Sequence, residues 1–211
     1  MSAPLPAEIE SACQILAARD LVLAKAHKEV GTPVWRSAEA SYETLARAIA
    51  YQQISTKAAE TIWGRVVDHL AADICPASVL GASDEGLRAC GLSKPKARYL
   101  KTIAEAVSCG ALDFERLRQS DSDAARKELT AVIGIGQWTA EIFLMNAIGK
   151  LDAFPPGDVG LMESYRLLAR HDDRHPAAEF TVLAEQWRPY RGVAAHLLWG
   201  WINAARNKAY P

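Results

Sequence analysis

Leu129-Thr130-Ala131-Val132-Ile133-Gly134-Ile135-Gly136-Gln137-Trp138-Thr139-Ala140-Glu141-Ile142-Phe143-Leu144-Met145 is the stretch that decides how this sequence folds. A helical apolar pattern runs to about Val132, Gly134 and Gly136 bracket the single apolar residue Ile135, and a second helix is predicted from about Gln137. Two glycines at this spacing permit positive φ and a sharp reversal of the chain. They also let another backbone approach with no Cβ in the way. The turn then leaves N–H groups pointing outward at a helix N-terminus, where the dipole favours an anion without help from a basic side chain. Ile135 is placed to plug into the helix pair, with Val132, Ile142 and Phe143 as an apolar face behind it. Taken alone, Gly-Ile-Gly also suits an ordinary tight connection between two helices.

The three- and four-residue spacing continues outward from the hairpin in both directions, for example through Ala58, Ile62, Val66 and Leu70. Helices are predicted at about 7–29, 41–51, 55–71, 76–80, 84–90, 94–109, 113–118, 122–132, 137–148, 158–170, 177–185 and 190–205. The breakers between them include Gly31-Thr32-Pro33, Pro76, Gly81, Gly110 and Phe154-Pro155-Pro156-Gly157. Alternating Val, Ile and Thr runs are absent, so an all-α fold is expected.

Over 211 residues the composition is 50% hydrophobic and 23% charged, with a net charge of −1, which is ordinary globular usage and excludes a uniformly basic coat. Any positive field has to be local. Between Gly86 and Ala104 lie Arg88, Lys94, Lys96, Arg98 and Lys101 and no acidic residue, which is either such a field or a solvated helix face. Cys13, Cys75, Cys90 and Cys109 are scattered, and His27, His69, His171, His175 and His196 have no metal-ligand spacing. No basic n-region followed by an apolar run opens the chain, and no stretch approaches the roughly 20 apolar residues of a membrane span. An intracellular protein with no membrane contact is expected.

Four segments, in order, resemble the helix-hairpin-helix DNA glycosylase superfamily, and within it the alkylpurine branch of 3-methyladenine DNA glycosylase II. They are Tyr42 to Ala59, with its Gln52-Gln53-Ile54-Ser55; Leu87-Arg88-Ala89-Cys90-Gly91-Leu92-Ser93 with Lys96 and Leu100; the hairpin; and Trp187-Arg188-Pro189-Tyr190-Arg191-Gly192-Val193-Ala194-Ala195-His196-Leu197-Leu198-Trp199. The resemblance implies a compact multi-helix fold of two helical subdomains, one at about 41–150 carrying the hairpin and one from about 1–40 plus 151–211, with a cleft between them.

It also implies site residues. Asp158 follows the hairpin and opens a predicted helix, where an aspartate on its own reads as an N-cap. The family places its catalytic carboxylate there, and the two roles are compatible. Trp138 and Trp199 match aromatic positions that hold the extruded base, with Phe154, Tyr42 and Trp35 as further candidates. Gln53, Ile54 and Ser55 match the loop that fills the vacated stack, Ile54 as the apolar wedge. Gly134, Gly136, Gln137 and Thr139 would grip backbone, with Lys94 and Lys96 adding charge, and the carbonyls of Thr130, Val132 and Ile135 would hold a monovalent cation. No cofactor is required. Trp138 stands where bifunctional relatives carry a lysine nucleophile, and the four-cysteine iron–sulfur loop of the endonuclease III branch is missing, so glycosidic hydrolysis without strand cleavage is expected. Asp152, Asp172 and Asp173 read as solvated charges.

Ile133, Ile142 and Tyr51 depart from the commoner family pattern, which bears on substrate range more than on reaction type. The expected partner is duplex DNA containing alkylated bases, met by a monomer. The alternatives are a non-catalytic module that uses the hairpin only to hold backbone, and a glycosylase for other damaged bases.

Overall fold

The computed structural model describes residues 4–209, and among them the chain is helical with no β-strand. It divides into two compact units, residues 38–143 and residues 1–37 with 144–211.

The unit at 38–143 contains α3 (Tyr42–Tyr51), α4 (Thr56–His69), α5 (Pro76–Gly81), α6 (Asp84–Ala89), α7 (Lys94–Ser108), α8 (Phe114–Gln119), α9 (Ser122–Ala131) and α10 (Gln137–Phe143). Most are too short to be stable as isolated helices. Six of these N-termini are fixed by a side chain from the residue before the helix: Ser41, Ser55, Ser83, Ser93, Asp113 and Asp121 all accept backbone N–H groups of the first turn. Such caps contribute about 1 kcal/mol apiece. The core is the meeting of α3 and α7, where Leu45, Ala46 and Ile49 pack with Ala97, Leu100 and Ile103. Leu117, Leu129 and Ile135 extend it under the hairpin.

The other unit holds α1 (Pro6–Arg19), α2 (Leu21–Val30), α11 (Val159–Ala169), α12 (Ala177–Ala184) and α13 (Arg191–Ala209). A π-helical turn, Leu144–Ile148, follows α10, and a 3₁₀ turn, Glu185–Trp187, follows α12. The single helix predicted over 7–29 is two helices. Asp20 leaves the helical region at φ −141°, and its Oδ1 accepts the N–H groups of Val22 and Leu23 to start α2. Its Oδ2 accepts the Trp187 indole N–H at 2.9 Å and the Tyr165 hydroxyl at 3.4 Å. Burial, then the Asp20 charge, pushes the Tyr165 hydroxyl well above its usual pKa, so it stays a donor. Phe154, Phe180, Tyr165 and Trp187 form one aromatic cluster around this point. No helix among the described residues is long and apolar enough to cross a membrane.

Candidate active site and nucleic-acid interface

In the unit of 1–37 and 144–211, the segment leading to Asp158 is anchored from α13. The N–H of Gly192 donates to the Leu151 carbonyl at 2.7 Å, and a Cβ at Gly192 would lie 2.8 Å from that oxygen. Asp152 accepts from Arg191 at 2.9 and 3.0 Å and from Arg188 at 2.6 Å. Asp152 is therefore no solvated charge: its side chain is partly buried in a two-arginine clamp. Asp172 and Asp173 are exposed, as expected.

Asp158 is the N-cap of α11. Its Oδ1 accepts the Leu161 N–H at 3.0 Å and the Trp199 indole N–H at 3.1 Å. The carboxylate is thus fixed by its own helix and by a tryptophan of α13. A Cβ at Gly160 would come within 3.1 Å of the same Oδ1, so a small residue there keeps it uncrowded. Ser164 Oγ donates to the Leu198 carbonyl at 2.8 Å and holds α11 against α13 beside this pair.

Trp199 is in turn packed by His196, whose ring meets it edge-on at 5.8 Å and stacks on Trp35 at 4.2 Å. Burial first, and the Arg36 charge further, lower the His196 pKa, with the hydrogen bond to the Gly192 carbonyl opposing them. The neutral ring matches its partners: Nδ1–H donates to the Gly192 carbonyl at 2.9 Å, and Nε2 accepts the Arg36 N–H at 3.4 Å. A sequence reading that treats His196 only as a surface or core residue misses this place in a Trp35–His196–Trp199–Asp158 series. The signal was the His196/Trp199 spacing, which puts both side chains on one helix face.

In the unit of 38–143, the hairpin turns as its glycines suggest, but the two differ. Gly134 has φ +105°, and a Cβ there would sit 2.6 Å from Tyr99 Cβ and Cγ. Gly136 has no positive φ, and a Cβ on it would meet open space. Ile135 is buried beneath the turn, and Gly136 and Gln137 are exposed. Trp138, second in α10, is 44% exposed. The helices of the hairpin are joined by Arg126 of α9 and Glu141 of α10, a carboxylate 1% exposed and hydrogen-bonded to the Arg126 guanidinium.

The loop after α3 carries the wedge candidates. Gln53 takes φ +55° and is exposed, Ile54 is 38% exposed, and Ser55 Oγ caps α4. Gln52 points inward: its Nε2 donates to Thr139 Oγ1 at 2.9 Å and, more weakly, to the Gly134 carbonyl at 3.4 Å.

Four further sequence-based assignments change. Thr139, 2% exposed, spends its hydroxyl on Gln52 and offers no side chain to a partner strand. Lys96 turns its ammonium to the carbonyls of Ala50 and Gln52, at 2.9 and 2.7 Å, and burial lowers its pKa. Tyr42 is buried with its hydroxyl donated to the Leu100 carbonyl, and Phe154 is buried against Phe180 and Trp187, so both aromatic rings are core. The basic stretch is correspondingly thinner. Arg88, Lys94 and Arg98 are exposed, but Lys101 pairs with Asp84 at 2.6 Å. Among the described residues no group of three His, Cys, Asp or Glu side chains could hold a metal ion.

An all-helical chain with a glycine hairpin and a helix-capping aspartate held by an indole defines a class, and residues 46–189 match the family described as HhH-GPD superfamily base excision DNA repair protein. The chain belongs to that family. It is 32% identical over 161 residues to DNA-3-methyladenine glycosylase 1 of Schizosaccharomyces pombe, covering 75% of this chain and 71% of that protein. It is also 32% identical to a probable bifunctional transcriptional activator/DNA repair enzyme AlkA of Mycobacterium tuberculosis, across 98% of this chain but only 42% of that longer protein. Among solved structures, a DNA-3-methyladenine glycosidase of Bacillus halodurans superposes with a TM-score of 0.83 at 32% identity, covering 93% of this chain and 91% of the other. The S. pombe glycosylase in complex with abasic DNA superposes with a TM-score of 0.79 at 30% identity, covering 90% and 95%.

Proposed function

We propose that this protein is a DNA glycosylase that hydrolyses the N-glycosidic bond of alkylated, cationic purines, with Asp158 as the catalytic carboxylate. One observation carries the reading: Asp158 Oδ1 is held by both the Leu161 N–H and the Trp199 indole N–H, a carboxylate fixed in place at the edge of an aromatic ring. The names of the relatives support the same chemistry.

Breaking the bond from C1′ to the base nitrogen builds positive charge on the sugar. A preorganised carboxylate stabilises that charge and orients water. The bond's electron pair returns to the purine ring and cancels its charge. The water oxygen joins C1′, and its proton passes to the Asp158 carboxylate. Because the lesion leaves neutral, no strong general acid is needed. Trp199, bonded to Asp158, is assigned as an indole for the cationic base, an attraction of roughly 0.5–2 kcal/mol.

Duplex DNA is the proposed partner, gripped by the N–H groups of Gly134, Gly136 and Gln137, with Gln53, Ile54 and Ser55 entering the minor groove and Lys94 adding charge. The open space at Gly136 supports the first of these assignments. The carbonyls of Thr130, Val132 and Ile135 would hold a monovalent cation. Neutral main-chain oxygens suit a hard ion, and Val132, already in extended backbone, uses one lone pair of its carbonyl on the Ile135 N–H. Such an ion would neutralise a phosphate charge there. With Trp138 in place of a lysine, the product is an intact abasic site. The protein acts as a monomer inside the cell.

The test uses duplexes with single 3-methyladenine, 7-methylguanine, 1-methyladenine, ethenoadenine or hypoxanthine lesions. Wild type is expected to release the cationic purines, with strand breaks only after alkali, and Asp158→Asn to slow release at least about 100-fold. Equal turnover by Asp158→Asn would overturn the assignment.

A further inference from the structure

We propose that Lys96 and Gln52 are positioning residues for the loop at 52–55, together holding its tip in one conformation for insertion into the duplex. The proposal deepens the glycosylase reading and rests on it.

The loop leaves α3 at a helix C-terminus, where carbonyls lack intrahelical partners. Lys96 supplies the missing donors, with Nζ on the Ala50 carbonyl at 2.9 Å and the Gln52 carbonyl at 2.7 Å. The next residue, Gln53, sits at φ +55°, a region L-residues seldom occupy unless their surroundings impose it. Gln52 imposes it from the other side, through Thr139 Oγ1 at 2.9 Å and the Gly134 carbonyl at 3.4 Å. One ammonium and one amide thus tie the loop to α7, to α10 and to the hairpin turn. The exposed side chains of Gln53 and Ile54 are left at the tip.

A lysine at this place has an obvious competing role, a phosphate contact, and the two make opposite forecasts. A phosphate contact adds about 0.9 to the slope of log affinity against log salt. A positioning residue leaves that slope alone and acts on the step after binding.

Lys96→Met is compared with wild type and with Lys94→Met in three measurements. These are the salt dependence of binding to undamaged duplex, the single-turnover rate of 7-methylguanine release at saturating protein, and amide hydrogen exchange at residues 50–55 without DNA. The expected result for Lys96→Met is an unchanged salt slope, release slowed at least tenfold at saturation, and faster exchange at 50–55. Lys94→Met is expected to reduce the slope. A reduced slope with an unchanged saturated rate in Lys96→Met would falsify the proposal, as would unchanged exchange. Gln52→Leu keeps the carbonyl that Lys96 holds, so it repeats the test should Lys96→Met fold poorly. The same slowing and faster exchange are expected, and wild-type values for both would overturn the proposal. Exchange is read on free protein, so a wild type that releases no base removes the glycosylase reading separately.

Discussion

A methyl group at Gly134 would stand 2.6 Å from the Tyr99 ring, on a backbone at φ +105°, whereas one at Gly136 would meet open space on ordinary backbone. Gly134→Ala is therefore expected to lower unfolding free energy by about 1–3 kcal/mol through strain and overpacking. Gly136→Ala is expected to change it by less than about 1 kcal/mol but to weaken binding to duplex DNA several-fold. Urea unfolding and fluorescence anisotropy separate the two, and equal destabilisation would show that the glycines share one structural role. The sequence could pair these residues but not rank them, because the difference lies in Tyr99, some 35 positions earlier. Asp158 was legible as a helix cap because capping is a local rule. Its indole partner, 41 positions away, was not. Tyr42, Phe154, Thr139 and Lys96 were misplaced for the same reason. Residue type says that a ring or an ammonium has a use, and only long-range packing says whether it faces solvent or a carbonyl.

At the scale of elements, the hairpin depends on more than its turn. The Glu141 carboxylate is buried in α10 and answered by Arg126 of α9. Arg126→Met removes the guanidinium from that buried carboxylate, and removing one member of a buried pair typically costs about 3 kcal/mol or more. The urea midpoint should fall accordingly, and Glu141→Gln placed on top of Arg126→Met should recover part of the loss. A double variant no more stable than the single one would mean the pair contributes no electrostatic coupling. Helix existence and type were readable almost everywhere, because serine and aspartate caps and glycine or proline breakers are local signals. The failure at 7–29 is instructive. Apolar spacing continues smoothly through Asp20, and what divides α1 from α2 is the demand on that carboxylate from Trp187 and Tyr165.

For the molecule as a whole, His196 links stability to acidity. Its folded-state pKa lies below the ordinary value of about 6.5, so the unfolded chain binds a proton that the folded chain refuses. Stability from this source is complete above about pH 6.5 and is lost as pH falls from there toward the lowered folded pKa. The urea midpoint of wild type should drop between about pH 7.5 and about pH 5.5, and His196→Phe should flatten part of that drop. Parallel curves would assign the acid sensitivity to other groups. A net charge of −1 leaves room only for a local positive field, and Arg88, Lys94 and Arg98 stand exposed within one short stretch. The average concealed a local excess. The capping geometry of Asp158 has a last consequence. A carboxylate seated by the first turn of its own helix and by an indole of α13 is set before any substrate arrives. If Asp158 is the catalyst proposed above, so permanently armed a group leaves the choice between damaged and sound nucleotides to how easily each is drawn out of the stack. Its fidelity then resides in admission and not in ignition.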